Sequence, residues 1–222
     1  MLWLVPRQKM EWFSRKDLIM NFKHLLIATT LATACAAGWA QSSQGPGYSD
    51  TGISYNEVGV GLGSAQVKLA GQKYTFNGAG IGGSVLVGRN FVLGGTYTEV
   101  SKTIAGSEVR SADTNLSLGY RVGIGANVDL VPAITALNNT SKVGSTSNTS
   151  QGYAAGISLR AALSPNWDAS FGVSHVKYDG LSADTATSVG VGYHLSRDLV
   201  LRGELNHVKD QDTALVSLSY KF

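Results

Sequence analysis

Three histidines, His175, His194 and His207, and the short run from Ser174 through His175 to Asp179 are the residues whose types could support acid–base or nucleophilic chemistry. Such chemistry needs a nucleophile or a water-activating base held in place by an orienting acid. If 167–178 is an extended segment, Ser174 and His175 point to opposite faces and form no dyad. His175 and His207 then fall on one face near the same end, and His194 falls on the other. No pair converges, so no catalytic residues are expected and the chain is read as not an enzyme. The single cysteine, Cys35, and the scattered histidines offer no metal-ligand spacing. The stretch GAGIGG at 78–83 satisfies a Gly-x-Gly-x-x-Gly pattern but runs on as alternating sequence with no helix to receive a phosphate. No cofactor is therefore expected. The glycines are read as permitting curvature and close packing.

The elements that would position these residues are strands. Period-two alternation marks segments 55–64, 75–88, 91–100, 114–122, 126–137, 152–163, 167–178, 186–195, 199–208 and the terminal TALVSLSYKF, ten in all. Four connections, at 88–90, 123–126, 164–166 and 196–198, read as tight turns. Those at the other end are longer and polar, at 65–73, 101–112, 138–152 and 179–186, with a brief one at 209–212.

The start of the chain is of another kind. From Met20 it reads MNFKHLLIATTLATACAAGWA, a short basic start, an apolar run and small residues before a cleavage expected after Ala40. The apolar run is about half the ~20 residues a spanning helix needs. Residues 1–19 are read as an upstream start extension, 20–40 as the signal peptide, 41–50 as a polar lead-in and 51–222 as the folded domain. Cys35 has Ala32 where lipoprotein signals carry a larger aliphatic residue, so lipidation is not expected. Residues 1–40 hold five of the bases and two of the acids, leaving 13 of each from Gln41 onward. That balance removes the electrostatic case for nucleic acid.

Across the strands, one face is apolar and almost free of charge. It gathers Leu199, Leu201, Leu205, Val189, Val191, Phe171, Val173, Ile157, Leu159, Ile134, Leu116 and Leu118. Tyr120, Trp167, Tyr193, Tyr220 and Phe222 lie on it near the short-turn end, where a membrane-interface girdle would sit. The opposite face carries Glu57, Arg121, Asp129, Arg160, Asp168, Arg202, Glu204 and Lys221. Four are basic and four acidic, and in a closed barrel they would pair across the lumen.

The run YNEVGVGLG, the turn region LSPNWDASFGVSH and the final LSYKF together resemble the small outer-membrane β-barrel proteins of Gram-negative bacteria, the outer-membrane-protein-A-like and opacity-type group. The resemblance covers roughly residues 50 to 222 and rests on pattern. It implies an all-β, closed, antiparallel, up-and-down transmembrane barrel of ten strands, with eight as the alternative. It further implies Sec-type export to the outer membrane, contact with lipid and lipopolysaccharide, and a C-terminal strand ending in Phe222 that the assembly machinery reads. The function expected is structural, or that of a narrow, low-conductance pore with a charge-paired lumen. Two alternatives remain: a soluble periplasmic lipocalin-like binding barrel, with the greasy face inside, and an outer-membrane barrel enzyme acting on lipid.

Overall fold

Alternating small and branched residues suit a pleated surface with two different faces, and the computed structural model turns this alternation into strands. The structure describes residues 51–222 apart from Ala70 and Ala105, and among these residues there is no helix. The expectations for residues 1–50 lie outside the described residues. In chain order the strands are β1 (Glu57–Leu69), β2 (Gln72–Val87), β3 (Phe91–Ile104), β4 (Ser107–Tyr120), β5 (Val122–Gly125) and β6 (Val128–Val143). They continue as β7 (Thr146–Ser164), β8 (Trp167–Tyr178), β9 (Asp184–His194), β10 (Leu199–Val208) and β11 (Gln211–Lys221).

Apart from β4 and β5, each strand pairs antiparallel with its neighbours in sequence, and β1 closes against β11 from Glu57↔Lys221 to Val67↔Gln211. β4 and β5 both pair with β6 and are two parts of one stave interrupted at Arg121. The result is a closed ten-stranded barrel, which removes the eight-stranded alternative. Closure leaves no unpaired sheet edge, the condition for crossing lipid with strands. Following the registers once around the ring brings β1 back displaced by about twelve residues; with ten strands this sets a tilt of roughly 40° and a Cα radius of about 10 Å.

The apolar face is outside. Leu62 is 71% exposed and Leu116 67%, and Ile134, Ile157, Phe171, Val189 and Leu205 are exposed with them. A soluble lipocalin-like barrel needs those side chains within, so the structure sets that alternative aside.

The connections depart from expectation. Three of the supposed longer loops, at 65–73, 101–112 and 138–152, are mostly strand. Only two positions separate β1 from β2, β3 from β4, and β6 from β7. Gly71, at φ 81°, occupies a left-handed conformation that its short turn requires. The asymmetry between the two ends is therefore one of strand overshoot. β6 and β7 have 16 and 19 residues, whereas a tilted strand crosses a bilayer in about 9–11. Past the bilayer the outer face of a strand meets water in place of lipid, so the contrast between greasy and polar faces that marks a strand in sequence fades. At the other end, 123–126 is mainly β5. Tyr55, expected to open the first strand, precedes β1 and turns inward.

Candidate functional site

The barrel's lumen is the candidate site, and its inner lining changes character along the axis. At the end holding the C-terminus, residues 51–56 fold into the mouth instead of pairing as a strand. Ile53 and Tyr55 pack with Leu86, Val92, Val131 and Ala162 in one buried cluster. Polar bonds fix this plug. Thr51 Oγ1 donates to Asp129 Oδ1 at 2.9 Å and the Tyr55 hydroxyl donates to Asp129 Oδ2 at 2.8 Å. Arg121 Nε reaches Asp129 Oδ1 at 3.0 Å, so one fully buried carboxylate gathers three partners. The Arg160 guanidinium lies 4.9 Å from the Tyr55 ring centroid, within cation–π range. Asn56 Oδ1 accepts from the Leu86 amide at 2.8 Å, and the Asn56 carbonyl accepts from the Phe222 amide at 3.2 Å.

Beside the plug runs a chain of charges. Arg202 donates to Asp168 Oδ1, and its Nη2 lies 3.8 Å from Glu57 Oε2. His194 Nε2 sits 2.8 Å from Asp168 Oδ2, and Lys221 Nζ sits 2.7 Å from His194 Nδ1. Lysine only donates, so Nδ1 accepts and Nε2 carries the hydrogen given to Asp168: the imidazole bridges base to acid as the Nε2–H tautomer.

All eight charged residues singled out in the sequence are buried on the inner face. Seven gather near the plug, and Glu204 stands higher, in the middle of the lumen. That middle band is otherwise mostly small and hydroxylic: Gly61, Gly80, Thr96, Ser117, Ser158 and Ser217 face inward there, with Leu215 beside Glu204. Gly78 and Gly80, from the GAGIGG stretch, lie on the inner face of β2, where a Cβ would collide with the β3 backbone, so close strand approach accounts for them. Toward the opposite mouth the lumen becomes apolar. One buried cluster holds Val67, Phe76 and Val109, and another Leu137, Val176, Tyr178 and Val208.

The five aromatics are exposed on the outer wall. Tyr120 meets Phe91 edge-on at 5.2 Å and Trp167 meets Tyr193 at 4.9 Å, which sets a row of rings at the plug end. Ser174 faces inward and His175 outward. His207 pairs with Asp212 at 2.8 Å on the exposed surface.

Sequence reasoning missed three groups. Thr51 and Tyr55 carried no signal, because a plug has no periodicity. Asp113 is fully buried and takes a hydrogen bond from Asn139 Nδ2 at 2.7 Å; continuing the inward parity of Asn115 and Ser117 by one step would have found it. His194 was placed inward, but its bridging contact follows only from the register of β9 against β8 and β10.

A closed, antiparallel, ten-stranded barrel with a greasy outer wall and a polar, plugged lumen defines the class of outer-membrane β-barrels. The chain belongs to the family described as outer membrane protein beta-barrel domain, whose sequence model matches residues 26–222, and this places it in the bacterial outer membrane, in contact with its lipids. Among curated proteins none matches. Among solved structures it is similar to the KdgM porin bound to disordered oligogalacturonate, at 12% identity and a TM-score of 0.45 over 75% of this chain and 99% of that one. It is also similar to the COG4313 outer membrane channel from Pseudomonas putida F1, at 10% identity and 0.45 over 82% and 100%. A third likeness is the translocator domain of the autotransporter NalP from Neisseria meningitidis, at 12% and 0.46 over 93% and 97%. The family assignment rests on the sequence match and not on these likenesses.

Proposed function

We propose that this protein is a non-enzymatic outer-membrane barrel that is closed at rest, serving a structural role or passing only small ions through a narrow path. The observation that carries this reading is the plug, in which Thr51 and Tyr55 are both bonded to the buried Asp129 carboxylate. A lumen of about 10 Å Cα radius has little room once inward side chains are added, and the plug and the ion pairs take up much of it at the end holding the C-terminus. Export through a signal cleaved near Ala40 and recognition of the terminal strand at Phe222 by the assembly machinery belong to this reading. So does anchoring at the interface by Tyr120, Trp167, Tyr193, Tyr220 and Phe222. The absence of catalysis is supported by Ser174 and His175 facing opposite sides of the wall.

The test is electrical. The protein purified from outer membranes, shown to be folded by a band that shifts only on boiling in SDS, is placed in a planar bilayer. Small, infrequent openings are expected, and Asp129→Asn, which weakens the hold on Arg121 and the plug, is expected to raise open probability at least several-fold. A large, steady conductance in the unaltered protein would refute the closed lumen. An Asp129→Asn protein that is folded yet as silent as the parent would leave only the structural role.

A further inference from the structure

The outer face of the β1–β2 hairpin carries two charges that work against its own pairing. Lys68 and Lys73 stand directly opposite each other in the register, and both are exposed on the outer wall. Like charges so placed destabilise the strand pair that bears them. Among the described residues neither lysine forms an ion pair. Asp210 meets Lys68 through its carbonyl, which accepts from the Lys68 amide at 3.2 Å, and the carboxylate of Asp212, opposite Gln66, is taken up by His207. Lys102 adds a third positive charge close by, since its Nζ donates to the Thr75 carbonyl at 3.0 Å. A second directly opposed pair of bases on this wall, Arg110 and Lys142, differs, because Glu99 and Glu108 both pair with Arg110.

A second, independent observation lies below the lysines on the same strands. A groove crosses the outer wall over β11, β1, β2 and β3, lined by Leu62, Ile81, Tyr97 and Val216, with the short Ala79 opposite Leu62. Above it the outer face of the hairpin changes in a fixed order. The apolar step at Leu62 and Ala79 gives way to hydroxyl and amide side chains from Ser64 to Gln66 and from Asn77 to Thr75, and then to the lysines. A lipid leaflet has the same order, from acyl chain through hydrogen-bonding headgroup to charged phosphate. The six residues from Leu62 to Lys68 rise roughly 15 Å along a tilted strand, and a lysine stem bends back toward the layer beneath it.

We propose that the outer wall of β1 and β2 binds one phosphate-bearing lipid of the outer leaflet, its phosphate between Lys68 and Lys73 and an acyl chain in the groove beside Ala79. The overshooting hairpins mark this as the outer end of the barrel. Strand alternation turns both lysines sideways, into the plane where lipid headgroups stand, and not upward toward dissolved polyanions. A phosphate monoester carries roughly −1.5 to −2 charges at pH 7 and three acceptor oxygens, which answers two ammonium groups at once. The phosphorylated glycolipid that anchors lipopolysaccharide has this chemistry. The site is outside the lumen, so neither the plug nor conduction bears on it.

The folded protein is heated in detergent with EDTA present, and the midpoint of the SDS mobility shift is compared with added phosphorylated lipid A, with the same lipid dephosphorylated, and with inorganic phosphate. Ligand that binds only the folded state raises that midpoint, and a rise of roughly 2–4 °C with the phosphorylated over the dephosphorylated lipid is expected for a chain of this size. Replacing both lysines, Lys68→Gln with Lys73→Gln, should abolish the difference. In the absence of lipid the same variant should melt no lower than the parent, because a repulsion has been removed. Ala79→Phe, which fills the groove, should reduce the difference, while Lys177→Gln on β8 keeps it. All four positions are exposed on the outer wall, so the barrel still folds in each variant. Equal midpoints with the two lipids, a difference that survives loss of both lysines, or one undiminished by Ala79→Phe would overturn the proposal. So would an equal rise with inorganic phosphate, since the lysines would then hold a free anion and not a lipid.

Discussion

The two ends of the lumen are closed by opposite means. At the terminal end, ionic and hydrogen-bonding side chains hold a short segment of chain in the mouth, with Asp129 as the common acceptor. At the other end Val67, Phe76, Val109, Leu137, Val176 and Tyr178 fill the space with apolar surface. The first closure depends on a few directional contacts and fails together when one is lost. The second depends on volume and yields gradually. A barrel built this way is held shut by a few directional contacts at one end and by apolar volume at the other.

The sharpest way to break this contrast is to remove the common acceptor. Asp129→Ala leaves Arg121 buried without its carboxylate and frees Thr51 and Tyr55 together, so a loss of about 3–5 kcal/mol is expected. Urea titration of the barrel in detergent, followed by tryptophan fluorescence, measures it; a loss under 1 kcal/mol would mean the plug is not held as described. At the apolar end, Phe76→Ala removes a fully buried ring. It is expected to cost about 3 kcal/mol, at the low end for such truncations because the long hairpins can close in. Plug-end contacts should be untouched, so open probability in a bilayer should stay at the parent's value.

How much of this was legible in the sequence depends on where each strand lies. Inside the bilayer one face meets lipid and the other the lumen, and the alternation this imposes placed Leu116, Phe171 and Leu205 outside and Arg202, Asp168 and Glu57 inside. Beyond the bilayer that contrast is gone, and β6 from Asn138 to Val143 and β7 from Thr146 to Gln151 read as loop because Thr, Ser and Asn lie on both faces. The ten-strand count was readable because only the turn residues and the strand cores enter it. The partners of the charges were not readable, since Arg202 meets Asp168 across β9 and Lys221 meets His194 across β10, contacts set by barrel curvature. The plug was least legible of all: Thr51 and Tyr55 owe their places to Asp129, more than 70 positions away.

Smaller perturbations sharpen the comparison. Tyr55→Phe keeps the ring beneath Arg160 and the packing on Ile53 but deletes the hydroxyl that donates to Asp129. A cost of about 1–2 kcal/mol is expected, since a hydrogen bond to a buried charged group is lost while the arginine stays paired. Its electrical effect should exceed its effect on stability, because Thr51 alone then ties the plug to the carboxylate. If Tyr55→Phe changed stability without changing opening, the plug would be a structural filler and not a door.

The outer surface supplies the control for both ends. Arg110 lies on the far hairpins, 3.1 Å from Glu99 and 3.3 Å from Glu108, with its side chain 44% exposed. Exposed pairs of this kind contribute about 0–1 kcal/mol, so Arg110→Gln is expected to leave the urea midpoint almost unmoved at physiological salt. The same geometry that stabilises the lumen does nothing here because water and salt screen it. A large loss at Arg110 would show that the hairpins beyond the bilayer are held by their surface charges, and the apolar clusters inside them would then be a consequence of closure and not its cause.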